Sequence, residues 1–189
     1  MDYAITTYDP EFCAVFFRVR ETWGELSNMA GRFPIVLGGT SILTSEALYQ
    51  CLRFPSHPEV QASILNQKSP MGAKMKAKVS VSLTRPDWDD VRVEAMRYSV
   101  WEKFKQNNEV LRPVLNLTVD RPIVERSRKD AFWGAKVTET PEGARLVGRN
   151  VLGKLLMDLR DSYWDLDIPI APTGSYLLGV RLDRETGEF

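Results

Sequence analysis

A chain of 189 residues, 43% hydrophobic and 26% charged, fits one globular domain that can bury a core without disulfides or a structural metal. Its 25 basic residues balance its 25 acidic ones, which excludes a global electrostatic pull toward nucleic acid or membrane and leaves any such contact to local basic patches. Cys13 and Cys51 lie far apart with no CxxC spacing, and the single histidine, His57, stands in a Ser-His-Pro turn, so a disulfide framework, His-based triads and His-rich metal sites are all disfavoured.

The opening Met1-Asp-Tyr-Ala has neither a basic region nor an apolar run, and no apolar stretch reaches membrane-spanning length. The expectation is a soluble cytoplasmic protein without membrane contact. Residues 12–19 are rich in strand formers and predict a first strand. Trp23–Ala30 is turn-rich. Ile35–Leu37 and Thr40–Leu43 flank Gly38-Gly39, which supplies the positive φ of a hairpin turn. Thr44-Ser45 predicts the cap of a helix from Glu46 to about Phe54, stopped by Pro55, with Glu46 in the first turn where acids are favoured. Pro58 opens a short helix to about Leu65. Ser69-Pro70 starts another to about Lys78, whose Lys74, Lys76 and Lys78 read as a solvated face.

The longest helix is predicted from about Asp87 to Gln106, with Val93, Met96, Val100 and Phe104 as its apolar stripe. Lys103 stands seven residues after Met96 and so projects in nearly the same direction, at the edge of that stripe. The ordinary fate of such a lysine is to snorkel to water. Trp88, in the first turn, is either core or a pocket-facing indole. A further helix covers Val110–Leu117 and a strand Ile123-Val124. Thr138–Arg149 reads as a polar loop. Asn150 is expected to cap a last helix whose apolar face is Leu152, Leu155, Leu156, Leu159 and Tyr163. The tail from Asp167 reads as an appended strand or ordered arm. Short strands among several helices predict an α+β fold, mostly helical, with residues 1–165 as the catalytic domain and 166–189 as an extension packing on it.

One stretch concentrates chemistry. Arg121–Gly134 sets two acids, several cations and the pair Phe132-Trp133 within a dozen residues, the combination a nucleotide-like ligand needs. A strand followed by an anchoring aromatic turn accounts for the same residues.

Several blocks together resemble the NADAR, or YbiA-like, family: Glu25-Leu-Ser-Asn-Met-Ala30; Thr44-Ser-Glu-Ala-Leu-Tyr-Gln50 with Arg53-Phe54; Arg85-Pro-Asp-Trp88, Met96 and Lys103-Phe104; Ile123–Gly134; and Gly148–Arg160. The resemblance runs in order from roughly residue 16 to 160. It implies an α+β domain that cleaves N-glycosidic bonds of ribosylated bases, acting either on early riboflavin-pathway intermediates or on ADP-ribosylated guanine in nucleic acid, there as the antitoxin of an ADP-ribosylating toxin. The family's carboxylates and tryptophan fall on Glu46, Trp88, Glu125 and Asp130, and its lysine on Lys103. Ala47 and Leu48 depart from the pattern, standing where a histidine and an aromatic are common.

The expectation is therefore an N-glycosidase that removes ADP-ribose from guanine, with single-stranded DNA favoured and an ADP-ribosyltransferase toxin as functional counterpart. Glu46, Asp130 and Lys103 are the expected catalytic residues. Two carboxylates can divide the acid and base roles, and a desolvated lysine amine can attack C1′ of the opened sugar to form a Schiff base. Trp88, Trp133, Glu125, Asn28, Arg126 and Arg128 are expected to bind substrate, the arginines through phosphate. This chemistry calls for no metal or cofactor. Hydrolysis of riboflavin intermediates and a non-catalytic ADP-ribose-binding module remain the alternatives.

Overall fold

The computed structural model describes residues 3–162 and 168–183. In chain order the strands are β1 (Thr6–Tyr8), β2 (Ala14–Phe16), β3 (Ile35–Leu37), β4 (Thr40–Ile42), β5 (Ile123–Ser127), β6 (Ala135–Thr140), β7 (Gly143–Gly148), β8 (Tyr176–Leu177) and β9 (Val180–Arg181). The helices are α1 (Ser45–Cys51), α2 (Pro58–Leu65), α3 (Pro70–Val79), α4 (Trp88–Gln106), α5 (Asn108–Asn116) and α6 (Val151–Asp161). This is the α+β class expected. No helix among the described residues is long and apolar enough to cross a membrane.

Two compact units share the chain, one holding it up to Ser27 and again from Asn108, the other holding Asn28–Asn107 and the C-terminal stretch. The first unit is built on a five-stranded sheet of order β1-β7-β6-β5-β2, in which β5 runs parallel to both neighbours and the remaining pairs are antiparallel. Tyr8, Cys13, Val124, Ala135 and Leu146 pack together on this sheet. Helix α6 lies directly on β5: a Cβ at Gly153 would stand 2.1 Å from the Ile123 carbonyl oxygen, so only glycine permits the approach.

The second unit is helical. All seven residues of α1 are buried, and α1 packs against α2, α3 and α4. Thr44 caps it by accepting a bond from the Ala47 N–H at 3.1 Å. Strands β3 and β4 form the expected hairpin, with Gly38 and Gly39 both at positive φ. The C-terminal strands β8 and β9 form a small hairpin held by Gln61 of α2, whose amide donates to the Tyr176 carbonyl and accepts from the Leu178 N–H.

Four expectations are corrected. The strand predicted over residues 12–19 is shorter: a 3-10 turn, Pro10–Phe12, precedes β2, and β1 lies further upstream. Helix α1 ends at Cys51 rather than Phe54. Thr138–Arg149 is not a loop, because β6 and β7 fill it as a hairpin with Gly143 at φ +112°. The face of β6 is almost wholly exposed, so it carries no apolar alternation to read; backbone bonds to β5 and β7 make it a strand. Asn150 precedes α6 but makes no side-chain cap. It sits in the left-handed region (φ 50°), accepts from the Glu125 N–H at 3.0 Å and donates to the Ile123 carbonyl at 2.8 Å, which ties α6 to β5. Leu152, Leu155, Leu156 and Leu159 are buried as expected; Tyr163 lies outside the described residues.

Candidate active site

Helix α1 carries Glu46 in its first turn, 2% exposed. Both carboxylate oxygens are held. Oε2 accepts from Asn28 Nδ2 at 2.6 Å, and Oε1 accepts from Gln50 Nε2 at 2.9 Å, with Lys74 Nζ at 3.8 Å from the same oxygen. The Asn28 backbone completes the grip: its carbonyl accepts from the Glu46 N–H at 3.0 Å and from Ser45 Oγ at 3.2 Å. An ionised carboxylate offers about four acceptor directions, and these three donors leave room for a further contact. Asn28 was expected to touch substrate; the bonds it makes here position Glu46.

Gln50 and Lys74 were not among the expected site residues. Gln50 was legible from spacing alone, since residues four apart share a helix face. Lys74 was read as solvated, and its side chain is indeed half exposed, yet its ammonium comes within ion-pair range of the buried Glu46 on α1. That pairing arises from the packing of α3 on α1, which no local pattern encodes.

From Gln50 a chain of polar contacts leads outward. Gln50 Oε1 accepts from Arg53 Nη1 at 3.5 Å, and Arg53 Nη2 donates to Thr84 Oγ1 at 3.1 Å. The Arg53 guanidinium lies 5.3 Å from the Trp88 ring centre, and Tyr49 meets the same indole at 5.1 Å. Trp88 is thus a buried ring packed under Arg53 and Tyr49, 8% exposed.

Lys103 is fully buried. Its ammonium lies 5.3 Å from the Phe33 ring centre and 5.1 Å from that of Phe104. It does not snorkel, because α4 is enclosed all round over this length: every residue from Tyr98 to Phe104 is buried. The single apolar stripe read from the sequence understated that enclosure, and Val93, counted in the stripe, is only half-buried.

The remaining expected residues lie in the first unit. Asp130 ends the turn after β5, half-buried, and its Oδ1 accepts from the N–H groups of both Phe132 (2.8 Å) and Trp133 (2.9 Å). These bonds fix the aromatic turn and engage one carboxylate oxygen. Trp133 is half-buried and edge-on to Phe132, ring centres 5.0 Å apart. Glu125 is half-buried on β5. Arg126 follows it on the same strand and so faces the other side of the sheet. Arg126 and Arg128 are exposed and gather over Phe17, at 4.4 and 5.6 Å from its ring centre.

Both cysteines are buried free thiols. Burial pushes the Cys51 thiol far up, and burial together with Asp9 raises Cys13, so neither is primed as a nucleophile. Among the described residues no cluster of His, Cys, Asp and Glu could hold a metal ion.

Comparison with known proteins agrees with these blocks. The chain matches the NADAR domain over residues 15–164. It is 33% identical over 146 residues to N-glycosidase YbiA of Shigella flexneri, covering 77% of this chain and 85% of that protein. It is 35% identical over 148 residues to a riboflavin biosynthesis protein of Vibrio vulnificus, covering 77% of this chain but 37% of that longer one. The NMR structure of YbiA from Escherichia coli matches with a TM-score of 0.63 at 32% identity, over 78% of this chain and 82% of that one. With its glutamate-bearing helix, its Asp130 turn and its α+β architecture, the chain belongs to the NADAR domain family.

Proposed function

We propose that the protein is an N-glycosidase that removes ADP-ribose from a modified nucleobase, guanine being favoured, in single-stranded nucleic acid. The observation that carries the reading is the Glu46 carboxylate, buried and held at both oxygens by Asn28 and Gln50. Breaking a ribosyl C–N bond leaves positive charge at C1′, and a carboxylate already oriented by neutral amides stabilises that charge without reorganising. The bonding pair of the C1′–N bond goes to the base nitrogen, which takes up a proton. Water adds to C1′ and gives its proton to a carboxylate.

The substrate assignment draws on Lys74, a half-exposed cation beside Glu46, with exposed Lys76 and Lys78 on the same helix. Cations there suit a ligand carrying more than one phosphate. Ala47, next to Glu46, offers no imidazole. A base within a duplex would need extrusion, which favours single-stranded substrate. In a cell such an enzyme reverses the product of an ADP-ribosyltransferase, the position of an antitoxin.

The resemblance to a riboflavin biosynthesis protein supports a second reading, in which early, reactive intermediates of that pathway are hydrolysed. Both substrates under matched conditions decide between them. Release of ADP-ribose from an ADP-ribosylated guanine oligonucleotide, with kcat/KM well above that for the intermediates, supports the first; the reverse order supports the second. Tight binding without turnover of either would make the protein a binding module.

A further inference from the structure

A cavity of about 440 Å³ opens on the sheet of the first unit, and every residue lining it belongs to that unit. This volume falls within the range of small-ligand sites, about 300–1,000 Å³. Val15, Val137 and Leu146 give it an apolar floor, Phe17 an aromatic wall, and Arg126 and Glu21 its charged edge. Arg126 reaches it because it alternates with Glu125 along β5 and shares its face with Val124.

The charge around this cavity is unevenly paired. Arg145 is tied to Asp9 and Arg18 to Glu21, each at 3.4 Å. Arg126 and Arg128 have no carboxylate partner among the described residues; both guanidinium groups lean on Phe17. Arg126, which lines the cavity, and Arg128, which reaches the Phe17 ring in its wall, are thus two cations without a carboxylate partner. Guanidinium forks match phosphate oxygens in pairs. An apolar floor of this size accommodates a planar base, and the Glu21 carboxylate can accept from a hydroxyl or ring N–H.

We propose that this cavity is a nucleotide-binding site, with Arg126 and Arg128 on the phosphate and the base over Val15, Val137 and Leu146. The same chemistry serves a free mononucleotide or a phosphorylated nucleotide of a strand. The assignment does not depend on the glycosidase reading, and it is tested by binding alone.

The probes are AMP, inorganic phosphate and a 5′-phosphorylated deoxythymidine oligonucleotide, titrated calorimetrically into the whole protein. A parallel set uses Glu46→Gln, so that turnover cannot enter the reading. AMP or the oligonucleotide should bind saturably to both proteins. The double substitution Arg126→Ala with Arg128→Ala should weaken binding at least about tenfold, and Val137→Trp, which fills the floor from an exposed position, should do the same. AMP binding alone identifies a free nucleotide. Oligonucleotide binding alone, falling steeply with salt, identifies a strand. No saturation by either into the millimolar range overturns the site, as does binding indifferent to both substitutions; phosphate binding as tightly as AMP overturns the nucleotide assignment.

Discussion

Glu46 is held mainly by groups that carry no formal charge, and this determines what a substitution does. Glu46→Gln keeps the size of the side chain but sets an amide opposite two amide donors. Only the position that becomes the amide nitrogen meets a donor, and rotation of the Asn28 amide, which presents its oxygen in place of its nitrogen, relieves that one conflict. The fold should therefore lose no more than about 1–2 kcal/mol, the scale of one compromised buried hydrogen bond. Turnover should fall by orders of magnitude, because the charge that faces C1′ is gone. A melting curve and a single-turnover assay on the same sample check both halves; a folded variant with near-normal activity removes Glu46 from the chemistry. Lys103 poses a separate question of covalency. Its side chain is fully buried with the nitrogen near the Phe33 and Phe104 rings, and a Schiff base on an opened sugar would require that nitrogen as the free amine. Borohydride added during turnover should leave an ADP-ribosyl adduct on Lys103, located by peptide mass spectrometry. Lys103→Arg keeps a cation and cannot form the imine; Lys103→Met, of similar length, guards against overpacking by the larger guanidinium. Activity retained in either variant, with no adduct on the unsubstituted protein, leaves the reaction to carboxylates and water.

At the scale of elements, Asn150 joins α6 to β5. Its side chain substitutes for a neighbouring strand at Glu125 and Ile123, and its backbone occupies a left-handed conformation that asparagine tolerates and alanine resists. Asn150→Ala should cost about 2–4 kcal/mol, from two buried backbone groups left without partners and one strained residue. Asn150→Gly removes the strain but not the lost bonds, so it should fall between. Chemical denaturation of the three proteins orders them; equal stabilities would mean that water replaces the amide. This residue also marks a limit of reading by pattern. An asparagine before an apolar helical period looks like a cap, and nothing local reveals that its partners are 25 and 27 residues upstream. The β6–β7 hairpin was illegible for a related reason: its outer half, from Thr138 to Arg145, has no apolar alternation, and the backbone ladder makes the strands there. By contrast α2, α3, α4 and the β3–β4 hairpin were legible because proline, serine and glycine mark their ends and boundaries lie within two residues of those expected.

For the molecule as a whole, the parts of the candidate site differ in how they are encoded. Glu46 and Asp130 were singled out through motif blocks in order; the contact of Gln50 with Glu46 needed only helical spacing; that of Lys74 needed the packing of one helix on another. The C-terminal stretch lies outside the blocks altogether, yet it is woven into the unit that carries Glu46. Gln61, fully buried, bonds to Tyr176 and Leu178, and Arg85 donates to the Thr173 carbonyl at 2.7 Å while also gripping Asp87 at the start of α4. Leu177 and Ala171 are buried. A chain ending at Ser162 would uncover those side chains and strand the Gln61 amide within α2, a cost of several kcal/mol from two lost buried bonds and about 1.5–3 kcal/mol for the exposed leucine. None of these contacts reaches Glu46, Asn28 or Gln50. The shortened chain should therefore melt about 10 °C or more lower but hold kcat within a few-fold at a temperature where it remains folded. Circular dichroism sets that temperature and the glycosidase assay is run below it. A shortened chain that is folded and inactive would show that the C-terminal stretch contributes directly to catalysis, and the contacts through Gln61 and Arg85 would then be more than packing.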